Sequence, residues 1–174
     1  IIAYYAILRC DAVAVPVNPM NKALELEWYV SDTESKVAVV GSELVAEFET
    51  LLGKTCLGKI IAARYGDDIF TPTNFVIPET VIQAPAVAET EYVTDMRTAL
   101  QHSAIETQAV RAGEDLAVIL YTSGTTAHPK GCMLSHRALV AQILTQINWS
   151  PWNNTAKVLS VTPFFHVTGM INAM

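Results

Sequence analysis

The segment from Tyr121 to Gly131 carries the side chains best suited to chemistry on phosphates. Its eleven positions, YTSGTTAHPKG, hold four serine and threonine hydroxyls, two glycines and one lysine. Glycine lets consecutive backbone N–H groups converge on one point, hydroxyls add donors, and an ammonium group adds a full positive charge. These are the parts of a polyphosphate-binding loop, although a plain Ser/Thr-rich turn has the same composition.

The lysine of this loop does not lie in a Walker A sequence. That loop needs a glycine before the lysine and a serine or threonine after it, whereas Pro129 precedes Lys130 and Gly131 follows it. The residues from Gly131 to Leu134 predict a short strand. Ser135 is then placed to cap a helix from His136 to about Gln146. We therefore expect Lys130 at the entrance of a strand, so a helix N-terminus is not the main anion-binding element.

The elements that would position this loop alternate between strand and helix, which indicates an α/β fold. A continuous apolar strand, Asp115 to Tyr121, runs directly into the loop. Three prolines between Thr71 and Ala88 exclude a helix or a central strand there. The remaining predicted elements are a helix to about residue 9, strands at Ala12–Val17, Lys36–Val40 and Lys59–Ala63, and helices from Asn21 to Val30, from an N-cap at Ser42 to Gly53, and from Thr94 to His102.

The composition excludes several classes of function. Apolar residues make up 51% of the 174 residues and charged residues only 16%, with a net charge of −6. This excludes a disordered protein, and the lack of a basic cluster argues against nucleic acid or an anionic membrane as a partner. No apolar run reaches the roughly 20 residues of a membrane span, and no signal peptide is visible, so we expect a cytoplasmic protein. The three cysteines indicate neither disulfides nor a zinc site, and we expect them to be small core residues.

Both ends of the sequence lie in apolar runs, at Ile1 and at Met174. Domain ends are usually polar and exposed, so we expect a piece of a longer polypeptide that packs on the remainder of its own domain. Within it we expect a first α/β lobe at 1–64, a proline-containing connection at 65–111, and the phosphate loop with the start of a second lobe at 112–174.

The loop closely resembles the AMP-binding signature of the adenylate-forming superfamily, which includes acyl-CoA synthetases, luciferases and the adenylation domains of peptide synthetases. The segment Leu134–Arg137 resembles what usually follows the signature, and Pro163–Gly169, PFFHVTG, resembles the family's P-x-F-H-x-x-G stretch. The resemblance covers most of the chain and is weakest at 65–111. It implies layered sheets flanked by helices, as a partial N-terminal domain of the acyl-CoA synthetase-like fold, with the C-terminal domain absent.

The resemblance also implies the roles of individual residues. Lys130 would neutralise the pyrophosphate leaving group of ATP, and Mg²⁺ would bridge phosphate oxygens, with the hydroxyl of Thr125 or Thr126 as the candidate protein ligand. His166 would lie at the acyl-substrate pocket near the substrate carboxylate, with Phe165 and Thr168 lining the wall. The residues implied to wrap the β- and γ-phosphates are Thr122, Ser123, Gly124, Thr125 and Thr126.

The expected activity is ATP-dependent conversion of a carboxylic acid, first a fatty acid, to an acyl-adenylate and then to a thioester with coenzyme A as co-substrate. The isolated chain is expected to be inactive, because the later motifs of the family are absent from it. Aromatic acids are the next substrate class. Ala127 stands where the family usually has glycine, which leaves open a non-catalytic nucleotide-binding or scaffold module. A homo-oligomer also stays open.

Overall fold

The computed structural model describes residues 1–69, 74, 76–103, 112–122, 129–150, 153 and 155–173. They contain both helices and strands, with helices between the strands of a parallel sheet, which confirms the predicted α/β class. The strands are β1 (Val37–Gly41), β2 (Lys59–Ala63), β3 (Val93–Asp95), β4 (Leu116–Thr122) and β5 (Lys130–Ser135). The helices are α1 (Ile2–Arg9), α2 (Ala23–Asp32), α3 (Val45–Glu49), α4 (Glu79–Ile82), α5 (Met96–Ala99), α6 (His136–Trp149) and α7 (Val167–Ala173), with 3₁₀ turns at Ser42–Leu44 and Tyr65–Asp68.

The chain forms two compact units. The first combines residues 1–18 with residues 105–174, and the second is residues 19–104. This division differs from the three parts suggested by the sequence. Residues 1–18, expected in the first lobe, belong to the unit that contains residues 105–174. Residues 65–104, expected as a connection, belong to the same unit as residues 19–64.

A three-stranded parallel sheet, in the order β1-β2-β3, lies at the centre of the second unit. Ile61 of β2 aligns with Val39 of β1 on one side and with Thr94 of β3 on the other. Ile60 and Ala62 are fully buried, as expected for the central strand of a parallel sheet. The strand predicted at Lys59–Ala63 is confirmed with the same bounds.

The segment after β1 begins differently from the prediction. Ser42 is not a helix N-cap: it is the first residue of a 3₁₀ turn, and its Oγ is buried with no hydrogen-bond partner among the described residues. The α-helix itself runs only from Val45 to Glu49. Gly53, predicted to end the helix, lies in the following turn with φ +75°, a conformation that glycine adopts without strain.

The proline-containing connection holds more regular structure than predicted. Helix α4 follows directly on Pro78, whose φ of −55° suits the start of a helix, so the exclusion of helix between Thr71 and Ala88 is wrong. Thr94, predicted as the start of a helix, lies in β3, and α5 begins only at Met96. Residues 70–73 and 75 lie outside the described residues.

A group of paired charges fixes the end of β3 in the second unit. The Asp95 carboxylate accepts hydrogen bonds from the Arg97 backbone N–H at 2.8 Å and from its guanidinium at 3.2 Å. The Arg97 Nε also lies 3.2 Å from Asp67, and Asp67 lies 3.7 Å from the Arg64 guanidinium. Arg64 in turn donates to the Ala84 carbonyl at 3.2 Å. These contacts tie the turn after β2 to the segments around residues 84 and 95.

In the first unit, β4 and β5 form an antiparallel hairpin, and Ala14 joins its other side. The Ala14 N–H donates to the Ala117 carbonyl, and the Ile119 N–H donates to the Ala14 carbonyl, both at 2.9 Å. The strand predicted at Ala12–Val17 is thus wrong except for this single parallel bridge. Pro16 has no N–H to donate, which limits further pairing.

Helix α6 begins where the sequence predicts. The Ser135 Oγ accepts a hydrogen bond from the Ala138 N–H at 3.3 Å, which satisfies one of the free N–H groups of the first turn. The helix continues to Trp149, three residues beyond the predicted end. Val140, Leu144 and Ile147, on one side of the helix, are exposed, and so is Trp149 at its end.

Two further expectations concern surfaces. Cys10, Cys56 and Cys132 are all exposed in this chain, so their assignment as core residues is wrong. Across the described parts of the chain, no helix combines the length and apolar character needed to cross a membrane.

The contacts of Asp95 predict how stability depends on pH. The hydrogen bond from the Arg97 side chain and the nearby guanidinium charges hold the pKa of Asp95 below its ordinary value, against a smaller opposing effect of burial. The carboxylate therefore stabilises the fold fully above its unfolded pKa of about 3.9, and this contribution is lost as the pH falls below that value. We expect Asp95→Asn to be less stable than the unmodified chain at pH 6 and closer to it at pH 3.5.

Urea unfolding at several pH values measures this difference. The matched control is Glu49→Gln, which removes one carboxylate from an exposed position at the end of α3. A difference between Asp95→Asn and the unmodified chain that stayed constant from pH 6 to pH 3.5 would contradict the assigned role of the carboxylate.

Candidate active site

The loop end of the β4–β5 hairpin, where residues 123–129 connect the two strands, brings together two of the predicted phosphate-binding residues. Thr122 is the last residue of β4, Lys130 is the first residue of β5, and the two are aligned in register. Directly opposed residues of an antiparallel pair project from the same face, and both residues are exposed. Ser123, Gly124, Thr125 and Thr126, together with Ala127, lie outside the described residues, and the roles expected for them stay predictions.

The position of Lys130 at the start of a strand is confirmed. The next residue, Gly131, allows β5 to lie close to two side chains of β4. A Cβ atom on Gly131 would lie 2.8 Å from the Ile119 side chain and 3.3 Å from the Tyr121 ring. Glycine therefore allows these two side chains of β4 to pack across β5 next to Lys130. Sequence reasoning included Gly131 in the loop but missed this packing role.

Strand β4 anchors the hairpin in the core of the first unit. Ala117 and Val118 are 0% exposed, and Leu120 is also buried. They belong to one cluster with Ala14, Leu139 of α6 and Met170 of α7. The buried strand thus fixes the end of the hairpin from which Thr122 and Lys130 project.

The residues predicted for the acyl pocket lie around the start of α7. His166 is exposed immediately before the helix, and its carbonyl accepts the Met170 N–H at 2.9 Å. The Phe165 and His166 rings lie 4.6 Å apart at an angle of 40°, with Phe165 half-buried. Thr168 is exposed in the first turn. The structure therefore groups all three predicted residues on one short segment.

Met170 fastens this segment to the same core as the hairpin. It is 2% exposed and belongs to the cluster that contains Val118, Leu120 and Leu139. The residues predicted to bind phosphate and those predicted to line the acyl pocket are consequently carried by elements that share one core.

The expected magnesium ion does not have a cluster of protein ligands in the described parts of the chain. There, no group of three or more histidine, cysteine, aspartate or glutamate side chains is arranged to hold a metal ion. A magnesium ion bound largely by phosphate oxygens and water does not need such a group.

Comparison with known families identifies this combination of fold and loop. The protein family described as "AMP-binding enzyme" matches the chain over residues 1–174. The chain belongs to the AMP-binding enzyme family. The resemblance carried by the loop and by the segment Pro163–Gly169 is thereby confirmed.

Relatives within the AMP-binding family include ligases for different acids. The long-chain-fatty-acid–CoA ligase of Escherichia coli O6:H1 is 32% identical over 176 residues, which cover 95% of this chain and 31% of the relative. The mitochondrial malonate–CoA ligase of Mus musculus is 27% identical over 180 residues, covering 100% of this chain and 25% of the relative. This chain therefore spans about a third or less of the length of these relatives.

Solved structures support the fold. A long-chain-fatty-acid–CoA ligase from Archaeoglobus fulgidus matches with a TM-score of 0.73 and 27% identity, covering 98% of this chain and 30% of that structure. The predicted acyl-CoA synthetase-like architecture is confirmed by this match.

The burial of Met170 predicts a large effect on stability. Met170→Ala should lower the free energy of unfolding by about 2–4 kcal/mol, because the substitution leaves a cavity against β4 and α6. Met133→Ala is the matched control, since Met133 is 72% exposed on β5 and its truncation should cost less than about 0.5 kcal/mol. Urea unfolding of both variants measures the difference, and equal losses would contradict the anchoring role of Met170.

Proposed function

We propose that this chain is part of an enzyme that uses ATP to activate a carboxylic acid and then transfers the acyl group to coenzyme A. Membership of the AMP-binding enzyme family over the whole chain is the observation that carries the proposal. The pairing of Thr122 with Lys130 at the loop end of the hairpin supports it. Because the chain spans about a third of the relatives, the activity is proposed for the longer polypeptide that carries it.

The proposed reaction has two steps. In the first, a carboxylate oxygen attacks the α-phosphorus of ATP, the bond to the bridging oxygen breaks, and pyrophosphate leaves with its electron pair. In the second, the thiol of coenzyme A loses its proton and attacks the acyl carbonyl, and AMP leaves. Each step creates or moves negative charge, so positioned donors and cations lower the barrier.

Lys130 is proposed to stabilise the departing pyrophosphate. Its ammonium group lies on an exposed part of the hairpin beside the loop, where a polyphosphate can approach from solvent. The buried β4 holds the strand end in place, so the positive charge of Lys130 is already in position before the reaction begins. The hydroxyl of Thr122, opposite Lys130, is proposed to donate a hydrogen bond to the same phosphates, together with the backbone N–H groups and hydroxyls of residues 123–126. Mg²⁺ would enter with ATP and screen the phosphate charges.

His166 is proposed to orient the substrate carboxylate. Its imidazole is exposed at the start of α7 and lies beside the half-buried Phe165 ring. A histidine can donate a hydrogen bond to a carboxylate, while Phe165 and Thr168 would contact the acyl group. A fatty acid is the first proposed substrate class, because the relatives with the higher identity are named as long-chain-fatty-acid–CoA ligases.

Substrate-dependent release of AMP and pyrophosphate tests the proposal. The longer polypeptide is supplied with ATP, Mg²⁺, coenzyme A and one of three acids: a long-chain fatty acid, malonate or benzoate. We expect the highest kcat/KM with the fatty acid, and the 174 residues alone should not exchange labelled pyrophosphate into ATP. A preference for malonate or benzoate would overturn the substrate class, and no acid-dependent release would overturn the activity.

Lys130→Ala should reduce kcat/KM for adenylate formation by roughly 100-fold or more, because the charge on the leaving group loses its cation. The free energy of unfolding should change by less than about 0.5 kcal/mol, since the side chain is exposed. Lys54→Ala removes the same charge at an exposed turn of the second unit and should leave the rate unchanged. The assigned role fails if Lys130→Ala lowers thermal stability but leaves adenylate formation intact.

A further inference from the structure

Gly169 lies where the backbone of Thr162 and Pro163 crosses the first turn of α7. A Cβ atom at this position would overlap the Pro163 carbonyl oxygen and would lie 2.6 Å from the Thr162 carbonyl oxygen. Both neighbours are backbone atoms, which cannot rotate away as a flexible side chain could. The close approach therefore requires glycine at position 169.

The oxygen that contacts Gly169 also holds His166. The Pro163 carbonyl accepts the His166 backbone N–H at 3.1 Å. A side chain at position 169 would displace this oxygen and with it the turn from Pro163 to His166. The conformation at His166 is thus coupled to the absence of a side chain three residues later.

Packing determines which of the two segments would move. On the helix side, Met170 is 2% exposed and Ile171 packs against the same cluster with β4. On the other side, Pro163 and His166 are exposed. Moving the helix would open the close-packed core, whereas moving the turn would not. An added methyl group would therefore shift His166 rather than α7.

We propose that Gly169 is a positioning residue for His166: by having no side chain, it allows the Pro163 carbonyl to fix the turn that presents the imidazole. This inference rests on the proposed function, in which His166 orients the substrate carboxylate. Gly169 itself touches neither the acid nor ATP in this proposal.

Steady-state kinetics of the longer polypeptide tests the proposal. Gly169→Ala should raise the KM for the acid about tenfold, the size of one lost hydrogen bond to a charged group, with the KM for ATP unchanged. Gly58→Ala is the matched control, because its Cβ would lie 3.9 Å from the nearest atom, the Lys36 carbonyl oxygen. It should change neither constant. An equal rise in both KM values for Gly169→Ala would overturn the proposal.

A double-mutant cycle separates positioning from a general structural effect. If Gly169 acts through His166, adding Gly169→Ala to His166→Ala should produce no further rise in the KM for the acid. Multiplication of the two individual effects would overturn the proposal.

Two further measurements test the positioning role of Gly169 if the proposed function fails or if Gly169→Ala does not fold. In the 174-residue chain, the His166 backbone amide resonance should shift in Gly169→Ala but not in Gly58→Ala. This result is independent of activity and would stand if the proposed function failed, whereas an unshifted resonance would overturn the positioning role. If Gly169→Ala does not fold, Pro163→Gly, which frees the torsion beside the same carbonyl, should raise the KM for the acid alone, and no change would overturn the proposal.

Discussion

Burial of β4 is the constraint on which the first unit depends. A strand with two fully buried residues, Ala117 and Val118, must have partners on both sides and on both faces, because its backbone and side chains have no access to water. Ala14 supplies the partner on one edge and β5 supplies the other, while α6 and α7 contribute Leu139 and Met170 to the core. One apolar strand thus determines where the remaining elements of the unit can lie.

This arrangement explains why chemically useful side chains occur at the ends of buried elements. Thr122 and Lys130 form the last pair of the hairpin, where β4 reaches the surface. His166 precedes the helix that Met170 anchors. The core supplies rigidity, and the ends supply exposure.

The sequence was sufficient for elements with strong local signals. The apolar run ending at Tyr121 and the Ser135 cap were predicted because pattern and capping chemistry are local. The predictions of a strand at Ala12–Val17 and of an N-cap at Ser42 are wrong for the opposite reason. Whether a segment pairs along its length or caps a helix depends on neighbours distant in sequence. The composition of the loop and its resemblance pointed to Lys130, but neither could indicate that Gly131 and Gly169 are needed because other atoms approach them closely.

The high apolar content has a corresponding physical explanation. Part of it lies in the cores around β2 and β4, but Val140, Leu144 and Ile147 remain exposed along α6, three and four residues apart. Helical residues at that spacing share one side of the helix, and the buried Leu139 lies at the edge of the same apolar stripe. Within the described structure the core covers only the Leu139 edge of this stripe, and the rest of its apolar surface is exposed.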